Sequence, residues 1–246
     1  MEVHHHAHTP RKKWSHYFWE FFMLFLAVTL GFFVENQREH MIEHKREKQY
    51  IKSMTVDLVS DTVKLQTIME HHASIMVGLD SIMENYEQFS TGRYSPGFFR
   101  FERSLFGFTD FIYTDRTIDQ LKSSGGMRLI RKQDVSDSII YYDDWARDFL
   151  LEQEGLQRIL NLLSEQQYDL INYRYITDQI KKDRTKLTGD KAPDILLTHD
   201  PVRVEGFFNT IRLYYQALAS KIIEADILKK RATRLIAFLK KRYHLE

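Results

Sequence analysis

Glu20 has the strongest claim to a chemical role in this 246-residue chain. It interrupts the apolar run WSHYFWEFFMLFLAVTLGFFVEN at 14–36, and an ionisable group in a membrane helix is a functional candidate by default. Three roles suit it: gating protons in an oligomer, pairing with a partner helix, or sitting near the headgroups beside His16, one turn earlier. Ala27 and Gly31 lie four residues apart on the same segment, a spacing that lets two helices approach closely. Trp14 and Trp19, with Tyr17 between them, are rings of the kind that settle at headgroup depth.

Other reactive residue types do not form a working pattern. His71 and His72 follow Glu70, but adjacent helical residues do not face each other and no H-E-x-x-H spacing occurs. His4, His5, His6 and His8 can coordinate Zn or Ni, as any His-rich tract can, and read here as a polar arm. Tyr141-Tyr142 and Asp143-Asp144 read as helix packing and helix surface, and His199-Asp200 sits beside a helix cap rather than in a triad. Gly125-Gly126 with Ser123, Ser124 and Arg131 can hold an anion at a helix start. The simpler reading is a tight reversal of a short helix. No G-x-S-x-G, Walker or dinucleotide fingerprint occurs, and cysteine is absent, which removes disulfides and thiol chemistry. The expectation is a protein that is not an enzyme, with no cofactor, no metal and no catalytic residue.

Composition narrows the class. Lys plus Arg total 35 against 34 Asp plus Glu, a net charge of +1, so the basic excess of a nucleic-acid binder is missing. Hydrophobic residues make up 43%, too many for a disordered chain. Ten Gly and four Pro favour long helices over a turn-rich sandwich.

The segment 14–35 reads as a transmembrane anchor. Tyr17 to Val34 would span roughly 27 Å at about 1.5 Å per residue, nearly the ~30 Å of a bilayer core. A cleaved signal peptide fits the basic Arg11-Lys12-Lys13 but lacks a small-x-small cleavage site, since the run ends in Phe-Phe-Val-Glu-Asn. A buried helix of a soluble protein fits its length but not its apolar character on every face. The basic residues nearest the helix precede it, which points to a cytoplasmic N-terminus, although Arg38, Lys45, Arg46 and Lys48 make the count nearly even. The expectation is a single-pass inner-membrane protein with its C-terminal domain in the periplasm.

Beyond the anchor the pattern is all-α. Tyr50, Met54, Leu58, Leu65, Ile68, Ile75, Leu79, Ile82, Tyr86 and Phe89 recur at helical spacing, predicting one helix over 35–89. After a turn at 90–100 and an aromatic stretch, Thr114 or Asp115 can cap a short helix ended by Gly125-Gly126. Asp134 can cap a long helix running to about Lys181, and Asp200 followed by Pro201 is a strong start for a last helix. On that helix Phe208, Ile211, Tyr215, Leu218, Ile222, Leu228, Leu235 and Leu239 read as inward. The predicted organisation is an arm at 1–13, the anchor at 14–35, a charged helical stalk at 36–53 and an extracytoplasmic bundle at 54–246. That bundle holds three long helices and a short one.

Two stretches carry a family resemblance. FWEFFMLFLAVTLGFFVENQRE, with Glu20, Gly31, Asn36 and Glu39, resembles the anchor of an uncharacterised family of small single-pass membrane proteins from Bacteroidetes-type bacteria. TIDQLKSSGGMRLI (117–130), with Leu121, Ser124, Gly125 and Gly126, resembles that family's leucine-lysine-serine-glycine element. The chain departs from the family in the bulk of Phe and Trp before the anchor. The resemblance implies an architecture, not a mechanism. The expected role is a membrane-anchored scaffold, accessory or sensory subunit of an envelope assembly. Its partners would be the lipid bilayer through 14–35 and either further copies of the chain or other envelope proteins. The alternative is an ion-conducting or motor-associated subunit using Glu20. The Lys229-Lys230-Arg231 and Lys240-Lys241-Arg242 clusters suit a helix end or an acidic partner.

Overall fold

The computed structural model describes residues 14–93, 95–105, 110–174, 177 and 194–245. Among the described residues the fold is all-α, with six helices: α1 (Trp14–Glu84), α2 (Tyr86–Ser90), α3 (Pro96–Leu105), α4 (Arg116–Ser123), α5 (Gln133–Leu170) and α6 (Pro201–Tyr243). A 3-10 turn occupies Gly126–Leu129, and one isolated antiparallel bridge joins Ile171 to Leu196. The chain divides into two compact units, Met1–Tyr50 and Ile51–Glu246.

In the second unit the long helices bury heptad seams. On α1 the series Ile51, Met54, Leu58, Asp61, Leu65, Ile68, His72, Ile75, Leu79 and Ile82 steps alternately by three and four, and every member is buried. Such a period of about 3.5 residues keeps one stripe facing its neighbours along the whole helix. Tyr50 is only half-buried, so the seam starts at Ile51 instead. On α6 the seam runs Val204, Phe207, Ile211, Tyr214, Leu218, Lys221, Ala225, Leu228, Ala232, Leu235 and Leu239. Tyr215 and Ile222, expected inward, flank it half-buried, because the register puts Tyr214 and Lys221 inside. The α5 seam runs from Val135 through Ile139, Tyr142, Ala146 and Phe149 to Leu163, Gln167 and Leu170.

At the end of the unit where α1 leads into α2, these stripes share one core with α2 and α3. Phe89 stacks on Phe207 at 5.6 Å and meets Phe208 edge-on at 5.4 Å, while Phe101 meets Phe207 edge-on at 5.9 Å. Rings at these separations add to the burial of their own surface. Gly78 lets α3 lie against α1: a Cβ there would collide with the Ser104 side chain and stand 3.2 Å from the Arg100 carbonyl oxygen.

Several boundaries differ from the expectation. Helix α1 ends at Glu84, and α2 follows Asn85, whose side-chain amide donates to the Ser81 carbonyl at 2.7 Å. The aromatic stretch after the first turn begins as helix α3. Helix α5 starts one residue before Asp134, with Lys132 as its N-cap and no side-chain cap bond. It stops at Leu170, because Ile171 turns extended and the backbone takes new partners: Asn172 N donates to Ile195 O at 2.8 Å and Leu197 N to Leu170 O at 2.9 Å. Most of the chain expected to continue this helix to Lys181 lies outside the described residues. Asp200 does cap α6, its carboxylate accepting from Val202 N at 3.0 Å with Pro201 in the first turn. Gly92 carries a left-handed φ of +72°, which with the Asp194 side chain pressed against it leaves no place for a larger residue.

Candidate functional site

In the first unit the apolar part of α1 is bare. An 18-residue window of mean hydropathy 1.9 has none of its residues buried. Phe21, Leu24, Val28 and Phe32 are among its exposed side chains, at 66%, 68%, 67% and 77%. Among the described residues this is the one helix long and apolar enough to cross a membrane. Glu20 sits on it with His16 Nε2 3.4 Å from its Oε1, both side chains about half exposed. Trp14 is 84% exposed and Trp19 59%, the latter edge-on to Phe22 at 5.9 Å. Ala27 is exposed, and a Cβ at Gly31 would meet nothing within 4 Å, so their face is open. The polar residues that follow pair along the helix, Arg38 with Glu35 at 3.0 Å and His44 with Glu47 at 3.1 Å. Glu47 is nevertheless buried, contrary to a wholly solvated stalk.

In the second unit the TIDQLKSSGG stretch is held by carboxylates on neighbouring helices. Asp57 of α1, fully buried, caps α4: its carboxylate accepts from Thr117 N at 3.2 Å, from the Thr117 hydroxyl, and from Arg116 Nε at 2.5 Å. The expected local caps, Thr114 and Asp115, do not serve; Asp115 is the N-cap residue but makes no side-chain cap bond. Asp61, one turn further along α1, accepts from Thr114 N and from the Tyr142 hydroxyl, each at 2.9 Å. Lys64 then donates to the Ile112 carbonyl and the Thr114 hydroxyl, each at 2.7 Å. An oxygen acceptor near the first N–H groups of a helix satisfies donors that have no partner within it.

Asp143, read from sequence as helix surface, is also fully buried. Lys122 of α4 reaches it at 2.5 Å and Arg147 at 3.0 Å, and Arg147 also pairs with Asp119 at 2.7 Å. Burial pushes Asp143 up, but Lys122 and Arg147 overcome this and hold it below the usual carboxylate range. Asp61 has weaker company. Burial raises it, and the hydrogen bonds from Thr114 and Tyr142 with the nearby Lys64 charge only partly compensate. Burial, with the Asp61 charge, also pushes the Tyr142 phenol up.

The motif residues themselves shape the chain. Leu121 is fully buried, and the Ser124 hydroxyl donates to the Gln120 carbonyl at 2.6 Å. Gly125 has φ +66°, which ends α4, and a Cβ at Gly126 would stand 3.2 Å from Leu121 Cδ2. The Ser123 hydroxyl also turns back to Gln120 O, at 3.4 Å. Both serines are therefore engaged within the helix end, which is the tight-reversal geometry rather than an anion cradle.

The histidines divide by position. His72 occupies the α1 seam, and its Nδ1 has no hydrogen-bond partner among the described residues; burial, with His71 and Lys221 nearby, pushes its pKa down to about 4. Lys221 is the matching polar member of the α6 seam, 8% exposed along its side chain and paired with Glu152 at 2.7 Å and Glu224 at 2.5 Å. His199 pairs with Asp194. His4, His5, His6 and His8 lie outside the described residues. Among the described residues no group of three or more His, Asp or Glu side chains is placed to hold a metal ion.

Sequence reasoning also missed Glu102 on α3. It is buried, accepting from Gln167 Nε2 at 2.8 Å and from the Tyr173 hydroxyl at 3.3 Å, and among the described residues no cation pairs with it. Burial pushes it up to about 7.

The class these observations define is an all-α chain with one N-terminal helix long and apolar enough to cross a membrane, and a helical unit organised by buried polar residues. No family model, no curated protein and no solved structure matches the chain.

Proposed function

We propose that the chain is a membrane-anchored, non-enzymatic helical protein that serves as a scaffold, accessory or sensory subunit of an envelope assembly. One observation carries the reading: the 18-residue apolar window of α1 has no residue buried, whereas the second unit buries apolar seams of its own. A helix of this hydropathy left uncovered costs about 25 cal/mol for each Å² of apolar surface in water. Lipid is the solvent that removes the cost, and a helix satisfies its own backbone there. The absence of a match leaves the resemblance to the Bacteroidetes-type family as part of this proposal.

The second unit completes the reading as an elongated bundle of the long helices with α4 packed against it. Orientation follows from Arg11-Lys12-Lys13, which put the N-terminus in the cytoplasm and the bundle in the periplasm of a single-pass inner-membrane protein. The His16–Glu20 pair supports an interfacial role for Glu20 over ion conduction, since a carboxylate one turn from an imidazole at the aromatic end has a local partner.

Native mass spectrometry of the protein extracted from its own membrane in mild detergent tests the scaffold role. Defined copurifying chains in fixed stoichiometry are expected. A strictly monomeric protein with no partner contradicts it.

A further inference from the structure

A cleft of about 250 Å³ opens between α5 and α6. Tyr142 and Leu235, both buried, form its floor; Tyr141 and Phe238 are its apolar sides; Arg231 and Arg234 stand one turn apart on α6 at its edge. Two other basic residues of this helix are ion-paired. Lys230 is paired with Asp226 at 2.5 Å and Arg242 with Asp134 at 3.2 Å. Among the described residues Arg231 and Arg234 form no ion pair.

Arg231 is also fixed before any ligand arrives. Its guanidinium lies 4.0 Å from the centroid of the Trp145 ring and 5.1 Å from that of Tyr141, an aromatic clasp that holds the plane of the fork. Its Nε is buried with no hydrogen-bond partner among the described residues. The guanidinium fork matches the two oxygens of a phosphate or carboxylate. The apolar walls, for their part, suit a flat hydrocarbon body.

We propose that this cleft binds a small organic anion: a phosphate or carboxylate held by Arg231 and Arg234, attached to a compact aromatic group that lies between Tyr141 and Phe238 above Tyr142. The volume sits just below the usual range of about 300–1,000 Å³ for ligand pockets, so the body is a single ring rather than a nucleotide. The assignment does not depend on the anchor. It stands on the second unit alone and gives the sensory version of the proposed role something to sense.

The test uses the full chain in nanodiscs of zwitterionic lipid, with Trp14→Phe and Trp19→Phe in the other unit, leaving Trp145 as the single tryptophan of the three. Phenyl phosphate is titrated against Trp145 fluorescence and by calorimetry. The expected result is saturable binding with a Kd of about a millimolar or tighter. Arg234→Gln and Arg231→Gln should each weaken it about tenfold or more. Arg234 is exposed and without an ion pair, so its variant separates lost binding from lost folding, which circular dichroism checks. Inorganic phosphate should bind at least about tenfold more weakly, because it leaves the apolar walls unused. No saturation, equal binding by the Arg234→Gln variant, or equal binding of inorganic phosphate overturns the proposal.

Discussion

The Tyr142 hydroxyl donates to the Asp61 carboxylate at 2.9 Å, and both residues occupy seam positions, one on α5 and one on α1. An apolar seam tolerates sliding by a heptad, but a buried polar pair is satisfied in one register only. The same device recurs where Gln167 of the α5 seam bonds Glu102 of α3 at 2.8 Å. Polar members of the seams thus align the helices, and Asp57 and Asp61 together dock the entry of α4.

The Asp61–Tyr142 bond should show as coupling. Tyr142→Phe is expected to cost about 1–2 kcal/mol of stability, since among the described residues it leaves Asp61 only Thr114 as a hydrogen-bond donor. In a double-mutant cycle with Asp61→Asn, the pair should couple by about 1 kcal/mol or more, read from urea unfolding of the full chain in detergent. Strict additivity would remove the register argument.

Glu102 makes a pH prediction. Its folded pKa of about 7 lies above the ordinary 4.5. The folded state therefore holds the proton more tightly, and the contribution to stability is complete below pH 4.5 and lost as pH rises to about 7. Glu102→Gln should abolish that loss, gaining up to about 3 kcal/mol relative to the parent at pH 8 compared with pH 4. Equal pH slopes in parent and variant would show that Glu102 does not titrate near neutrality.

His72 works in the opposite direction. With a folded pKa near 4 against an ordinary 6.5, it stays neutral while the unfolded chain takes up a proton. Its contribution is present above pH 6.5 and lost as the pH falls toward 4. His72→Leu should lose less stability than the parent on acidification from pH 7.5 to 4.5, by about 2–3 kcal/mol. Chemical denaturation at the two pH values reads this directly, and an unchanged acid loss contradicts it.

The seams were legible where the residues were apolar. Met54, Leu58, Leu65, Ile68, Ile75, Leu79 and Ile82 all lie inside as their spacing predicts. The register slipped at Ile222, whose polar neighbour Lys221 is in fact inside, and at Tyr215, where the adjacent tyrosine Tyr214 takes the inner position. Lys221 can be buried because two glutamates and the Phe149 ring, 4.9 Å from its ammonium, surround it. That compensation comes partly from another helix, so no window of α6 sequence discloses it. Asp57, Asp61 and Asp143 were missed for the same reason. Asp61 continues the steps of Met54 and Leu58, and Asp57 and Asp143 stand beside the seam residues Leu58 and Tyr142, but a carboxylate reads as surface until its donors are known. The cap of α4 comes from Asp57, 60 residues away from Thr117, which local capping rules cannot find. The Gly125 reversal, by contrast, followed from glycine's access to positive φ.

The central claim is that residues 14–35 are embedded in lipid. Alkaline carbonate extraction of membranes from cells making the full chain tests it most directly. High pH strips proteins held by charge or by partner contacts, whereas a spanning helix remains until detergent dissolves the bilayer. The account predicts that the protein stays in the pellet after carbonate and enters the supernatant only with detergent. Full release by carbonate alone would contradict it.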